Sequence, residues 1–230
     1  MSPSPPALVE ALNLGRANGP AAPPLLAPTC FSLFAGERVA ISGSSGSGKS
    51  VFLRLLALLD PPSSGEIRWR GSPVTGQSIP HYRSRVCYLA QRPALVDGTV
   101  LENLQLPFTL KVLRHRTLNM GTVHDLVELA GKTRSFLDKL STDLSGGEAQ
   151  IAALIRVLLL EPQVILFDEP TSALDPDSAA SVEGLVMHWF EAAVQSHAYA
   201  WVSHDQEQAL RMSSRQLKMQ QGVLQAENIE

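Results

Sequence analysis

The 230-residue chain contains little cysteine, no excess of basic residues and no long hydrophobic run. Its two cysteines, Cys30 and Cys87, form neither a metal-ligand spacing nor a disulfide framework, which indicates a reducing cytosol. The formal net charge of −3 provides no basic surface for nucleic acid. The longest apolar helical stretch, Ile151 to Leu160, is interrupted by Arg156 and is too short to cross a bilayer.

The sequence also shows no signal peptide, internal repeat or low-complexity tract. A length of 230 residues can bury a substantial core and is compatible with one large or two small domains. The proline-rich start, Met1 to Pro6, predicts a disordered lead, and Gly19 to Pro24 predicts a loop.

One segment has the form of a phosphate-binding loop. It matches the pattern G-x-x-x-x-G-K-[ST], and its residues are Gly43, Ser44, Ser45, Gly46, Ser47, Gly48, Lys49 and Ser50. The loop follows an apolar strand, Val39 to Ser42, and opens a helix from Val51 to Leu59, which is the context that the motif requires. Glycines let backbone N–H groups wrap phosphates, Lys49 reaches the terminal phosphates, and the Ser50 hydroxyl is placed to bind Mg²⁺. A purely structural glycine loop is the alternative, and the flanking strand and helix argue against it.

Two acidic residues end a second apolar strand. The run from Val164 to Phe167 is fully apolar and is followed directly by Asp168 and Glu169. Carboxylates at the carboxyl end of a buried parallel strand lie where α/β proteins bind ligands. Asp168 is placed to hold Mg²⁺ through water, and Glu169 can accept a proton from an attacking water molecule. The alternative, a solvated acidic turn, loses force after an apolar strand in a chain with a phosphate-binding loop.

A second anion-binding feature is the predicted helix start at Leu144 to Glu148. Two glycines follow Ser145 there. Free backbone N–H groups at a helix start, together with the positive end of the helix dipole, favour a phosphate. For the pentapeptide alone, a Ser-capped helix start without a ligand is an equally good interpretation.

The order of strands and helices predicts an α/β fold. Strands are predicted at Arg38 to Ser42, Glu66 to Arg70, Val86 to Ala90, Val164 to Phe167 and Tyr199 to Ser203. Between Arg92 and Leu160 the strand pattern stops, and helices are predicted at Thr99 to Leu104, Val123 to Ala130 and Gly146 to Leu160. A strand at Gln216 to Met219 and a turn at 221–222 complete the prediction.

These features, in this order, resemble those of the ATP-binding cassette (ABC) ATPases, the nucleotide-binding subunits of ABC transporters. The resemblance covers the chain from about residue 8 to about residue 222. The six matches are a Walker A loop at 43–50, a Q-loop glutamine at Gln91, a signature at Leu144 to Glu148, a Walker B strand at Val164 to Glu169, a D-loop at Ser172 to Asp175 and a switch histidine at His204. Six ordered matches are far more specific than any one of them.

The resemblance implies a P-loop NTPase core with a mixed β-sheet, an N-terminal antiparallel β portion and an inserted α-helical subdomain that carries the signature. Residues 7–230 would then be a single ABC ATPase domain after the disordered lead. The core would comprise about residues 7–91 and 161–230, and the helical subdomain about residues 92–160.

The resemblance also implies ATP hydrolysis with Mg²⁺. Its catalytic groups would be Glu169, His204 and Lys49. ATP would be bound by the loop from Gly43 to Ser50 and by Val51, Gln91, Arg16, Ser145, Gly146 and Gly147. The metal ligands would be Ser50, Gln91 and Asp168.

The family arrangement is a head-to-tail pair, in which the signature of one subunit closes on the Walker A loop of the other. The expected partners are therefore a second ATPase subunit, here a copy of the same chain, and an integral membrane permease, with no nucleic acid. The expected location is peripheral, at the cytoplasmic face of the inner membrane.

Three residues depart from the family pattern. Arg16 stands where an aromatic residue usually stacks on adenine, and the guanidinium either stacks on the base instead or is simply exposed, with adenine held elsewhere. Val51 replaces a threonine that contacts the α-phosphate, although its backbone N–H remains. Ile151 replaces the arginine usual after the signature. None of the three changes removes a catalytic group.

Three segments are similar to the small bacterial ATPases assigned to iron export: Tyr82 to Leu95, Gly98 to Leu104 and Ala200 to Glu207. The alternatives are the ATPases of lipoprotein-release and macrolide exporters, a nucleotide-driven clamp without a transport role, and a module that closes on ATP without hydrolysing it. Clamps usually carry two cassettes, coiled-coil arms or zinc inserts, and none is visible here. Glu169 and His204 argue against a module without hydrolysis.

Overall fold

A computed structural model describes residues 6–19 and 22–226. Apart from Pro6, the lead predicted to be disordered lies outside the described residues, as do residues 20 and 21 of the predicted loop. The chain forms two compact units. The first unit comprises the residues up to Tyr88, Gln163–Glu169 and the residues from Val194 onward, and the second comprises Leu89–Pro162 and Pro170–Ala193.

The described residues form ten β-strands and seven α-helices. The strands are β1 (Val9–Arg16), β2 (Leu26–Leu33), β3 (Arg38–Ser42), β4 (Ser64–Trp69), β5 (Ser72–Pro73), β6 (Val86–Leu89), β7 (Val164–Asp168), β8 (Ala198–Val202), β9 (Arg215–Gln220) and β10 (Val223–Ala226). The helices are α1 (Lys49–Leu56), α2 (Ile79–Arg85), α3 (Val100–Gln105), α4 (Met120–Leu129), α5 (Gly146–Leu158), α6 (Pro176–Ala192) and α7 (Gln206–Met212).

Two sheets form from these strands. The first is an antiparallel sheet in the order β2-β1-β4-β5, and it is the expected N-terminal antiparallel portion. The second is a mixed sheet in the order β10-β9-β3-β8-β7-β6. Strand β3 runs parallel to both β8 and β9, and β7 runs parallel to β8. The carboxyl ends of β3, β7 and β8 therefore meet at one edge of the mixed sheet.

Strands β7 and β8 are buried at every position, which explains why both sequences are continuous apolar runs rather than alternating ones. The ring of Phe167 packs between those of Tyr199 and Trp201, with centroid distances of 5.8 and 4.9 Å. Helix α1 contacts β7 and β1. This packing gives the ends of β7 and β8 a rigid base.

The last described residues, 215–226, form a hairpin that the sequence predicted only in part. Gln221 and Gly222 have φ values of 48° and 77°, and a two-residue turn with both residues in the left-handed region suits a tight hairpin. The terminal strand and turn were expected. The returning strand β10 was missed, because its four residues contain too little apolar alternation to predict a strand.

The second unit is helical, and no strand lies among residues 90–162. Helix α5 contacts α3, α4 and α6. Residues 170–193, which the sequence grouped with the nucleotide core, lie in this unit because α6 packs on α5 and α4. A sequence pattern shows that α6 has an apolar face, but it does not show which unit covers that face.

Candidate functional site

The loop at residues 43–50 connects β3 to α1, and its glycines have different roles. Gly43 and Gly48 have φ values of 141° and 109°, and an added Cβ would lie 2.2 Å from the Met219 carbonyl oxygen at Gly43 and 2.8 Å from the Leu25 carbonyl oxygen at Gly48. Both positions therefore require glycine for close backbone packing. Gly46 also has a positive φ, 75°, but an added Cβ there would meet open space.

Lys49 is the charged centre of this loop. Its side chain is only 5% exposed, and its Nζ donates hydrogen bonds to the carbonyl oxygens of Gly43 and Ser44 at 2.7 and 3.0 Å. Burial lowers the pKa of Lys49 below its ordinary value, and the negative charges of Glu169 and Asp168 oppose that effect. The nearest of these carboxylate oxygens, Glu169 Oε1, is 3.8 Å away. A bound phosphate would supply the close anionic partner that this ammonium needs.

Two further features of the loop fit phosphate oxygens. Helix α1 begins after Gly48 without a side-chain cap, so its first N–H groups are left for another acceptor. The Ser47 hydroxyl is buried and finds no hydrogen-bond partner within residues 6–19 and 22–226. The chemistry of the loop therefore fits the triphosphate of a nucleotide.

Asp168 lies at the end of β7 next to the first helical turn of α1. Ser50 Oγ donates a hydrogen bond of 3.0 Å to Asp168 Oδ1. One hydroxyl and one carboxylate fit Mg²⁺, which commonly binds through one or two protein ligands, substrate phosphates and water. The described residues contain no cluster of three His, Cys, Asp or Glu side chains that could hold a metal ion by itself.

Glu169 follows Asp168 and has a backbone φ of 49°, in the left-handed region that a non-glycine residue rarely adopts. Strain of this kind persists where the surrounding structure demands a particular side-chain direction. Here Glu169 Oε1 lies 2.5 Å from Nε2 of His204 and 3.8 Å from Nζ of Lys49. The structure thus brings all three predicted catalytic side chains together in the first unit.

A buried polar network holds the loop that carries His204. The Oε1 atom of Gln208 accepts hydrogen bonds from the Ser203 hydroxyl at 2.8 Å and from the Trp201 indole at 3.2 Å. The Asp205 N–H in turn donates to Ser203 Oγ at 3.0 Å. The sequence analysis missed Gln208, because a polar residue on a short helix gives no signal that it is buried against the preceding strand.

Tyr88 is a second residue that the sequence analysis missed. It lies on β6, and its hydroxyl donates a hydrogen bond of 2.7 Å to Asp168 Oδ2. The positive charge of the nearby Arg54 guanidinium favours the ionised form of the same hydroxyl and so acts to lower its pKa. Burial, followed by the contact with Asp168, raises the pKa of Tyr88, so the hydroxyl remains a donor at neutral pH. The sequence contained one indication of this contact, which was a tyrosine on a predicted strand that was expected to end near the strand of Asp168.

In the second unit, the helix start at Leu144 to Glu148 is capped by its own side chains. Ser145 Oγ accepts the Glu148 N–H, and Glu148 Oε2 accepts the Ser145 N–H, each at 3.2 Å. Glu148 also pairs with Lys139 at 2.7 Å, and this contact lowers the pKa of the Glu148 carboxyl. The cap therefore explains Ser145 and Glu148 without a ligand.

The two signature glycines differ in their surroundings. An added Cβ at Gly147 would lie 2.2 Å from the Ser178 hydroxyl, so that glycine is required for packing against α6. An added Cβ at Gly146 would meet nothing within 4 Å. Gly146 thus leaves the first helical N–H groups open to an incoming group, a property that local packing does not explain.

Gln91 lies in the second unit, whereas Ser50 and Asp168 lie in the first. Its Nε2 donates a hydrogen bond of 2.9 Å to the hydroxyl of Ser172, the first residue of the predicted D-loop. Close by in the sequence, the buried Gln150 side chain donates to the Ala90 carbonyl oxygen at 3.3 Å. The role of Gln91 as a metal ligand stays a prediction.

The three residues that depart from the family pattern are half-buried or buried. Arg16 ends β1, is half-buried, and donates from Nη1 to the Pro61 carbonyl oxygen at 2.5 Å. Val51 is half-buried and packs against the core of the first unit. Ile151 is fully buried within α5.

Comparison with known proteins agrees with this geometry. The family model described as ABC transporter matches residues 26–172. The chain is also 37% identical over 201 residues to the "Probable iron export ATP-binding protein FetA" of Escherichia coli strain K12, an alignment that covers 87% of this chain and 86% of that protein. The chain belongs to the ABC transporter family. It is an ATPase subunit of an ABC transporter, and it binds ATP.

Two solved structures share the fold of this ABC ATPase. The ATP-binding cassette MJ0796, solved as a dimer in a post-hydrolysis state with ADP and phosphate, superposes with a TM-score of 0.82 at 24% identity and covers 96% of this chain and 100% of that one. The cbiO1 protein of Clostridium perfringens, part of the transporter complex cbiONQ, gives a TM-score of 0.78 at 22% identity and covers 96% of this chain and 89% of that one. These likenesses confirm the predicted P-loop NTPase fold. Among the described residues, no helix of the ABC ATPase is both long and apolar enough to span a membrane.

The position of Arg16 in this ABC ATPase allows its stacking on adenine to be tested. If the guanidinium stacks on the base, Arg16→Ala should weaken ATP binding about 2- to 5-fold, the equivalent of roughly 0.5 to 1 kcal/mol for an exposed cation–π contact. Titration calorimetry with ATP measures the change. Arg68→Ala, which removes an exposed arginine from β4, is the matched control. An unchanged dissociation constant for Arg16→Ala would show that adenine is held elsewhere.

Proposed function

We propose that this ABC ATPase hydrolyses ATP with Mg²⁺ as a head-to-tail homodimer and thereby drives a separate membrane permease that exports iron. The observation that carries the catalytic part is the convergence of Lys49, Glu169 and His204 at the end of strands β7 and β8. The proposed location is the cytoplasmic face of the inner membrane, where the subunit binds its permease peripherally.

The phosphate loop supplies binding and charge neutralisation. Phosphoryl transfer requires little covalent chemistry from the protein, so positioning and electrostatics dominate the rate. Lys49 is already desolvated, and its Nζ is held by two loop carbonyl groups. Its ammonium group can therefore move from these carbonyl groups to the terminal phosphates without a further cost of desolvation. The open side of Gly46 gives phosphate oxygens access to the backbone, and Val51 adds its N–H.

The proposed metal site uses Ser50 and Asp168, with Gln91 as a further ligand. In the structure the Ser50 hydroxyl hydrogen-bonds the Asp168 carboxylate, so the two groups already face each other. Ser50, Asp168 and Gln91 would hold Mg²⁺ there, and the metal would supply neutralisation of the negative charge on the phosphates.

Glu169 is the proposed general base. Its carboxylate can accept a proton from the attacking water, and its backbone conformation directs the side chain toward Lys49 and His204. His204 lies at the end of β8, is 45% exposed, and can turn from Glu169 to the γ-phosphate. The polar network of Ser203 and Gln208 fixes the base of this loop while the imidazole moves.

Glu169→Gln tests the general base. We expect kcat to fall by roughly 10²- to 10⁴-fold, the usual contribution of a general base, while ATP binding is kept because the amide has the same shape. Steady-state ATPase assays and ATP-binding measurements separate the two effects. Glu128→Gln, an exposed change on α4, should leave turnover unchanged. Wild-type turnover by Glu169→Gln would remove Glu169 from the mechanism.

The head-to-tail pair is supported by the open surroundings of Gly146. Since Ser145 and Glu148 cap the helix, its remaining N–H groups and its dipole are directed at the space that Gly146 leaves free. A γ-phosphate held by the Walker A loop of a second subunit fits that space in charge and size. Such a contact forms only when two subunits share the nucleotide.

Gly146→Ala tests this contact in the Glu169→Gln background, where the ATP-bound dimer should persist. The added methyl group touches nothing within 4 Å in the subunit itself, so folding and ATP binding should be unchanged. Dimerisation with MgATP should weaken by roughly a hundredfold or more, because the symmetric pair loses one charge-assisted hydrogen bond at each of its two nucleotides. Sedimentation velocity measures the change.

Gly184→Ala is the matched control for this experiment. Gly184 lies in α6, and an added Cβ there also meets nothing within 4 Å. A Gly146→Ala protein that dimerises as tightly as this control would contradict the proposed dimer contact.

Iron export is supported by the similarity to FetA, which extends over 87% of this chain. A permease partner is supported by the likeness to cbiO1, which is part of a transporter complex. The decisive experiment is to purify the ATPase with its permease from membranes and to reconstitute both into vesicles with the ATPase outside. ATP and Fe²⁺ should then give uptake of iron into the vesicles, whereas the Glu169→Gln complex should give none. ATP-dependent turnover without iron uptake would overturn this assignment of cargo.

A further inference from the structure

The two oxygens of the Asp168 carboxylate have different partners. Oδ1 accepts the Ser50 hydroxyl at 3.0 Å, and Oδ2 accepts the Tyr88 hydroxyl at 2.7 Å. Ser50 is one of the residues proposed above to bind Mg²⁺, whereas Tyr88 has no proposed contact with nucleotide or metal. The Tyr88 contact is thus a fixed support on the side of the carboxylate away from Ser50.

Tyr88 itself interacts with an ion pair. The Arg54 guanidinium, in the last turn of α1, interacts electrostatically with its hydroxyl. Arg54 in turn forms a two-pronged ion pair with Asp60, with Nε to Oδ2 at 2.8 Å and Nη2 to Oδ1 at 2.9 Å. A paired guanidinium of this geometry has little freedom to rotate. The ion-paired guanidinium therefore places a positive charge near the Tyr88 hydroxyl.

A carboxylate that ligates a metal with one oxygen must not rotate about its Cβ–Cγ bond. Partners that hydrogen-bond the other oxygen of a metal-binding group set its direction, and their removal commonly weakens metal binding by about 10- to 100-fold. A tyrosine hydroxyl on a buried strand is well suited to this purpose, because the ring has few accessible rotamers. Tyr88 lies on β6, next to β7 in the sheet, and is half-buried.

We propose that Tyr88 is a positioning residue, which holds the Asp168 carboxylate so that Oδ1 faces Ser50 and the Mg²⁺ of the bound nucleotide. The Arg54–Asp60 pair places a positive charge near the Tyr88 hydroxyl. This inference rests on the proposed use of Ser50 and Asp168 as metal ligands, and it adds the residues that determine how tightly the metal is bound.

Tyr88→Phe removes the hydroxyl and keeps the ring. The Mg²⁺ concentration for half-maximal ATPase activity should rise on the order of 10-fold, and most of kcat should return at saturating Mg²⁺. The affinity for ATP measured by calorimetry in EDTA should be unchanged, whereas the affinity for ATP measured with limiting Mg²⁺ should fall. A general loss of structure would lower both affinities together.

Tyr82→Phe is the matched control, because it removes another tyrosine hydroxyl from the same unit. That hydroxyl donates to the Leu56 carbonyl oxygen at 2.6 Å and has no contact with Asp168. Its Mg²⁺ dependence should equal that of the wild type. Arg54→Gln provides a second variant, in which the Mg²⁺ requirement should shift in the same direction as in Tyr88→Phe but by less.

The outcomes separate this inference from the function on which it rests. If Tyr88→Phe and Tyr82→Phe have the same Mg²⁺ dependence, or if Tyr88→Phe loses ATP affinity equally with and without Mg²⁺, Tyr88 does not position Asp168. Should Tyr88→Phe fail to fold, an unchanged Mg²⁺ requirement in Arg54→Gln would equally overturn the inference. A wild-type protein whose turnover does not depend on Mg²⁺ would overturn the proposed metal site itself.

Discussion

The burial of one ammonium group is the constraint on which the first unit depends. Lys49 is almost fully removed from water, and two loop carbonyl groups and a carboxylate at 3.8 Å are its partners. A desolvated charge is costly unless it is closely paired. The glycines at 43 and 48 let the loop pack tightly enough to hold Lys49 in this position. A phosphate would supply the close anionic partner that this ammonium needs.

The adjacent carboxylates of Asp168 and Glu169 acquire different chemistry from their surroundings. Asp168 ends a buried strand, and hydrogen bonds from Ser50 and Tyr88 fix both of its oxygens. Glu169 has a left-handed backbone conformation that few residues other than glycine adopt, and its carboxylate faces Lys49 and His204. A carboxylate held by two hydrogen bonds suits a metal ligand, whereas one that faces ionisable groups suits proton transfer.

The start of helix α5 in the second unit is capped by its own side chains and still leaves space beside Gly146. The reciprocal cap of Ser145 and Glu148 stabilises α5 without any ligand, typically by about 1 kcal/mol. Gly147 is required because α6 packs closely against it, whereas no contact among the described residues requires a glycine at Gly146. Because the cap does not use that space, the proposed contact with a nucleotide on a second subunit requires no change in the cap.

The sequence by itself determined the phosphate loop, the strands at Val39 and Val164, the signature helix and the α/β class, because each depends on local patterns of glycine, charge and hydrophobicity. It also placed Lys49, Glu169 and His204 at element ends that a parallel sheet brings together. Only the tertiary structure decided that α6 belongs with the helical unit, that Gly43 and Gly147 are packing glycines while Gly146 is open, and that Tyr88 and Gln208 support the site. These depend on contacts between residues far apart in the chain, which no local pattern encodes.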